Sequence, residues 1–368
     1  MKEPRKIVII LGNGFDLDFG LKTSYKDFWE SEFCPKDYPA PLINHLNQRW
    51  PGTLEAVKWY DLENELLYYY NDIKTTRRIP DVITQEEKEF IKKDVIPYLV
   101  YGIGDEDIEA INSLIQKGYL KKHPKSPSRY WMPYKEDILQ PPLWRDRKAL
   151  QLIKEGLCKY LKSIDKAFPD SISVAYYLLY TLKQCVRNDD IDIFTFNYTP
   201  VPLQDDGKRI PVHYMHGDCK SGKIIIGTRD VLDMAEEYDF LQKVMDDSYL
   251  PPDIITPLKE ADEVIIFGHS LGENDRQYFA PFFLKQVDYY NDKPKNLTIF
   301  TRDDKSKIEI KRALQKMTDG RLSSLLSIKE PVIIRTTNIQ EDQNLMYNFL
   351  VAHHTERHYA SEVVNKLI

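Results

Sequence analysis

An α/β protein with a mostly parallel, Rossmann-like sheet is the fold class the sequence predicts, and three observations predict it. Residues 7–11, Ile-Val-Ile-Ile-Leu, are apolar at every position, the habit of a strand covered on both faces. That run breaks at once into Gly12-Asn13-Gly14-Phe15-Asp16, a glycine-containing turn of the kind that places ligands at the carboxyl ends of parallel strands. In the second half, short apolar runs alternate with helical patterns.

After the first strand and turn, residues 25–32 and 59–70 carry apolar side chains at helical spacing. A third helix is expected over 84–101, with Thr84 as N-cap and Glu86 and Glu87 in its first turn. Residues 102–145, rich in proline, tyrosine and charge, read as an irregular insertion or a short helical excursion. Within it, Lys117, Lys121, Lys122, Lys125 and Arg129 read as a solvated loop beside Pro124 and Pro127. Helices are expected again over 146–168 and 171–186. Strands follow at 191–196, 212–215, 223–226, 264–267, 297–300 and 332–334, separated by helices at 231–248, 275–289, 304–317 and 341–352. Residues 1–25 and 189–368 therefore form the sheet domain, and 26–188 a helical insertion.

The composition narrows the class. The chain has 368 residues, 42% of them hydrophobic, which suffices for a large core, and its formal net charge of −6 argues against sequence-independent binding to nucleic acid. Cys34, Cys158, Cys185 and Cys219 are far apart, without C-x-x-C pairs, so neither a disulfide framework nor a zinc ribbon is indicated and a cytoplasmic location is expected. The basic start followed by an apolar run is too short for a leader, and no stretch is long enough to span a membrane. His213, His216 and Cys219 form H-x-x-H-x-x-C. No metal site is expected from them, because residues three apart on a strand point to opposite faces.

Four strand ends finish in polar residues: Gly12 to Asp16, Thr195-Phe196-Asn197-Tyr198-Thr199, His216-Gly217-Asp218, and Gly268-His269-Ser270-Leu271-Gly272-Glu273-Asn274-Asp275. In a parallel sheet these ends share one crevice. The G-x-G turn departs from the dinucleotide fingerprint, since Leu17 stands where G-x-G-x-x-G needs its third glycine.

Gly12-Asn13-Gly14-Phe15-Asp16-Leu17, Thr23-Ser24-Tyr25-Lys26-Asp27-Phe28, Phe196-Asn197-Tyr198-Thr199, His216-Gly217 and Gly268-His269-Ser270-Leu271 resemble the AbiH family of bacterial abortive-infection proteins, associated with phage defence. The order of the motifs is also similar to sirtuin-like NAD hydrolases of antiviral systems. This looser resemblance implies Asn197 and His216 as the catalytic pair. Asn197 would position the water or a ribose hydroxyl, and His216 would act as general base. Gly12, Asn13, Gly14, Phe15 and Asp16 would hold phosphates and ribose, Gly268, His269 and Ser270 would line the adenosine side, and Thr195 and Asp275 would also bind the nucleotide. NAD is then substrate and not a resident cofactor, and the absence of paired cysteines argues against protein deacylation. The expected partners are the nucleotide and either a further copy of the chain or another component of a defence system.

Two other readings stand beside this one. A nucleotide-binding sensor would use the same crevice without hydrolysis. A serine esterase would use Gly268-His269-Ser270-Leu271-Gly272, a full G-x-S-x-G between a strand and a helix, with Ser270 as nucleophile.

Overall fold

The computed structural model describes residues 5–50, 61–76, 112, 121–123, 126–131, 142–164, 173–185, 190–202, 210–232, 234–288, 293–353 and 357–368. The helix expected over 84–101, with its Thr84 cap, lies outside them. The described residues form two compact units: 1–27 with 158–225 and 247–368, and 28–157 with 226–246.

The first unit is built on a six-stranded, all-parallel sheet. Its strands are β1 (Lys6–Leu11), β4 (Asp190–Thr195), β5 (Val212–Tyr214), β8 (Glu263–Phe267), β9 (Asn296–Thr301) and β10 (Val332–Arg335), in the order β10-β9-β8-β1-β4-β5. The chain leaves β1 toward β4 and β5 on one side, then returns to β8 on the other side of β1. That reversal is a topological switch point, and it lies between the first strand and β8.

Burial on both faces explains the continuous apolar runs. Ile7, Ile9, Leu11, Ile191, Ile193, Ile265 and Phe267 pack with Val174 and Leu178 of one helix, α6 (Val174–Cys185), with Met346 and Leu350 of α11 (Ile339–His353) and with Val363 of α12 (Arg357–Leu367). Val8, Ile10, Phe194, Val264 and Ile266 point the other way. They meet Leu258 of α7 (Ile255–Glu260), Phe279 and Phe283 of α8 (Arg276–Gln286), Ile310 and Leu314 of α9 (Asp304–Met317), and Leu325 of α10 (Leu322–Ile328). Odd and even positions of each strand thus serve opposite faces, which makes the sheet doubly wound. Asp303 caps α9 by accepting from the Ser306 amide. Two short helices at the front, α1 (Asn13–Asp18) and α2 (Tyr25–Glu30), complete the turn region.

The second unit contains α3 (Pro41–Arg49), α4 (Leu62–Thr76), a hairpin of β2 (Lys121–His123) and β3 (Ser126–Trp131), and most of α5 (Pro142–Ser163). Asp146 is fully buried there, accepting from the Leu42 amide at 2.9 Å and from the Tyr69 hydroxyl. Lys243, also buried, pairs with Glu63 at 2.8 Å.

Three local expectations are corrected. Part of the basic segment read as a loop pairs as a hairpin, Lys121 against Trp131 and Lys122 against Tyr130. Residues 223–226 do not join the main sheet: β7 (Lys223–Ile224) pairs antiparallel with β6 (Gly217–Asp218) in a separate small ribbon. The helix expected over 231–248 is instead two 3₁₀ turns, Glu236–Leu241 and Lys243–Met245. Gln242 explains the break, because its Oε1 accepts from the Val231 amide at 2.7 Å and its backbone bridges Thr228. Those bonds compete with a helical ladder through the same residues. Among the described residues, no helix is long and apolar enough to cross a membrane.

Candidate functional site

The loops that follow β1 and β8 lock together at the switch point. Gly12 N donates to Phe267 O and Gly14 N to Gly268 O, both at 2.9 Å. A Cβ on Gly12 would sit 2.5 Å from His269 Cα, and one on Gly14 2.6 Å from Gly268 Cα. Gly268 itself has φ +64°, with its own Cβ position 2.4 Å from the Gly14 carbonyl carbon. The close backbone approach that the glycines permit is therefore to each other's loop, where the sequence suggested a phosphate. Phe15, expected to face a ligand, is 1% exposed and packs edge-on against Phe267 at 5.4 Å.

A polar network hangs from this junction. Asp16, buried on α1, accepts from Asn197 Nδ2 at 2.9 Å and from the Thr199 hydroxyl. Asn197 Nδ2 also donates to Gly12 O at 3.1 Å, which ties the β4 loop to the β1 loop. Thr195 ends β4 and accepts the Asn197 amide on Oγ1 at 3.1 Å, so it shapes the turn that presents Asn197. Asn13 Oδ1 accepts from Thr23 Oγ1 at 2.6 Å.

Desolvation pushes the Asp16 carboxyl up to about 6 from the ordinary 3.8, against hydrogen bonds from Thr199, Asn197 and Thr23 that pull it down. Between pH of about 4 and 6 the folded chain thus holds a proton that the unfolded chain has lost. This group's contribution to stability rises as pH falls through 6 and levels off below 4. Asn at position 16 mimics the protonated carboxyl. Asp16→Asn is therefore expected to exceed the wild type in stability at pH 8 by up to about 3 kcal/mol, a gap that closes by pH 4. Urea melts of both proteins across that range measure it; a gap independent of pH would refute the assignment.

The second cluster comes from β5 and β8. His216 follows β5, while His269 lies in the β8 loop and Asp275 at the start of α8. His216 Nε2 lies 3.5 Å from Asp275 Oδ1, and His269 Nε2 lies 3.3 Å from Asp275 Oδ2. Both imidazoles are buried. The Phe196 ring stands edge-on to each, with centroids 5.3 and 4.3 Å away, and so joins this cluster to the adjoining Asn197. His213, in contrast, stacks on Phe194 and meets Asp192 at 3.1 Å.

Ser270 is exposed and lines a cavity of about 290 Å³ between the β8 loop and α9, floored by Leu271, Ala313 and Met317 and rimmed by charges of both signs, Arg276, Arg312 and Lys316 with Glu273 and Glu309. The esterase geometry is not assembled around it. The left-handed residues of this loop are Gly268, φ +64°, and Leu271, φ 52°, and not Ser270. His269 Nδ1 accepts from the Leu271 amide and its Nε2 lies 3.3 Å from Asp275, and His353 pairs with Glu263, the first residue of β8, far from the loop that carries Ser270.

The structure thus brings together Asn197 with Asp16 and Gly12, and His216 with His269 and Asp275. Sequence reasoning assigned no role to Thr199 or Thr23, although both lie in the motifs that carry the family resemblance. The Tyr278 hydroxyl, bonded to that of Tyr249, and the Tyr278 ring, 6.4 Å from His216, had no signal beyond helical spacing.

A family model described as bacteriophage abortive infection AbiH matches residues 8–289, a span that contains every residue of both clusters. No curated protein matches the chain.

Proposed function

The chain belongs to the AbiH family of bacteriophage abortive infection proteins, and we propose that it serves this antiphage role by hydrolysing the N-glycosidic bond of NAD or a related nucleotide. The observation that carries the reading is the convergence of Asn197, His216, His269 and Asp275 at the carboxyl ends of β4, β5 and β8, beside the switch point.

In this reaction the bond from the ribose C1′ to the nicotinamide nitrogen breaks, and nicotinamide leaves with the bonding pair. Water adds to the ribose carbon and gives its proton to a base. The transition state carries oxocarbenium character, so the site must place the water and exclude bulk solvent. Asp275 Oδ1 lies 3.5 Å from His216 Nε2, and a carboxylate on that side favours a proton on Nε2, with Nδ1 as the nitrogen that acts as base. The Asn197 amide nitrogen is held by Gly12 O and Asp16, so its carbonyl oxygen is the atom that accepts from the water or a ribose hydroxyl.

Measuring NAD in cells that express the wild type, Asn197→Ala or His216→Ala tests this. Depletion by the wild type alone is expected, and a toxic wild type that leaves NAD unchanged would overturn it. A sensor that binds the nucleotide intact is the second reading, favoured by the engagement of Asn197 Nδ2 in loop-to-loop packing. Calorimetry with NAD and ADP-ribose separates the two, since a sensor binds NAD without turnover.

A further inference from the structure

The Asn197 carboxamide is clamped at one end. Its Nδ2 donates to Gly12 O at 3.1 Å and to Asp16 Oδ1 at 2.9 Å, which uses both hydrogens. A main-chain carbonyl and an ionised carboxylate can only accept, so these two partners require nitrogen, and not oxygen, on their side of the amide. Asn197 Oδ1 has no partner among the described residues, yet it is not one of the buried polar atoms sealed without one. Solvent, and hence a ligand, can reach it. Asp16 lies behind the amide, 4% exposed, and its other oxygen accepts from the Thr199 hydroxyl.

We infer that Asp16 is a positioning residue: its carboxylate holds the Nδ2 end of Asn197 so that Oδ1 faces the crevice, and it acts through that amide and not on the nucleotide. The inference rests on the reading of Asn197 as the group that places the water or a ribose hydroxyl. It departs from the expectation that Asp16 holds phosphate or ribose. The negative charge behind the amide also makes Oδ1 a stronger acceptor, since hydrogen bonds in a chain polarise one another. A proton on Asp16 removes that charge and turns one acceptor into a donor, so the bond to Asn197 or to Thr199 must break or reverse. The groups facing Asp16 are Thr23 beyond α1, Asn197 and Thr199 after β4, and the Tyr214 hydroxyl on β5, which feels the Asp16 charge and accepts the Val201 amide at 3.4 Å. Asp18, on the same helix, caps α6 by accepting the Ala175 amide at 2.8 Å. Among the described residues no cation acts on Asp16, so neutral donors alone hold it ionised.

The test uses the full chain labelled with ¹⁵N-asparagine, following the Asn197 side-chain amide against pH in the wild type, Asp16→Asn, Thr199→Val and Thr199→Ser, beside kcat and KM for NAD. In the wild type the Nδ2 signals are expected to shift with a midpoint of about 6, the value of the Asp16 carboxyl. Thr199→Val removes a donor to the carboxylate and should raise that midpoint by about 1–2 pH units, while Thr199→Ser, which keeps the hydroxyl, stays within about half a unit. In Asp16→Asn the step should vanish, and at pH 8 kcat should fall about 10–100-fold with KM within about threefold, although this is the more stable protein. A merely structural Asp16 would leave the stabilised variant fully active. An Asn197 amide indifferent to pH between 4 and 8 would overturn the inference, as would a midpoint unmoved in Thr199→Val or a wild-type kcat in Asp16→Asn. Should Thr199→Val not fold, the wild-type midpoint and Asp16→Asn still decide. If the wild type leaves NAD intact while the midpoint still moves with Thr199, the NAD reading fails and the hold of Asp16 on Asn197 stands.

Discussion

Gly268→Ala is expected to lose about 2–5 kcal/mol of stability. Two costs add at that position. A left-handed backbone, φ +64°, costs an alanine about 1–2 kcal/mol, and a Cβ 2.4 Å from the Gly14 carbonyl carbon and the Phe15 nitrogen forces backbone apart at about 1–3 kcal/mol. The obstacle is main chain on α1, not the far end of a flexible side chain, so it has little room to yield. Gly272→Ala is the control in the same loop. Its φ is −68° and its Cβ would meet only Ser270 Oγ, at 3.3 Å, so a loss under about 1 kcal/mol is expected. Denaturant melts of the two variants measure the difference, and equal losses would show that the β1 and β8 loops do not interlock as described.

His216→Gln is expected to lower NAD turnover by about 10²–10⁴-fold, the range for removing a general base, with the fold intact. It is the cleaner of the two catalytic substitutions. Asn197→Ala also removes donors from the buried Asp16 carboxylate and from Gly12 O, which costs about 1–3 kcal/mol of stability by itself. Its loss of activity would mix chemistry with a loosened junction. Single-turnover assays of nicotinamide release, alongside melts of each variant, separate the two. Turnover by His216→Gln within threefold of wild type would remove His216 from the chemistry.

The sheet was legible because its strands obey a simple physical rule. Ile7 to Leu11 and Val264 to Phe267 are apolar throughout since each alternate side chain meets a helix layer on its own face. From that follows the gathering of polar strand ends on one edge, which is why Asn197, His216 and the β8 loop were read as one site. What the sequence hid are relations between segments. Gly12 and Gly14 signal close approach without saying to what, and Gly268 is the answer only once β8 is seen beside β1. Asp275 reads as a residue of the nucleotide site, and only the structure shows two histidines from different loops beside its carboxylate. Residues 231–248 have helical spacing, yet Gln242 takes bonds to Val231 and Thr228, a tertiary choice that local pattern does not encode.

The most direct measurement is nucleotide analysis of the purified full chain incubated with NAD, run beside His216→Gln. Nicotinamide and ADP-ribose accumulating in equal amounts with the wild type, and not with the variant, is the expected result. NAD recovered intact from a wild-type protein that binds it would contradict hydrolysis and leave the crevice as the site of a sensor.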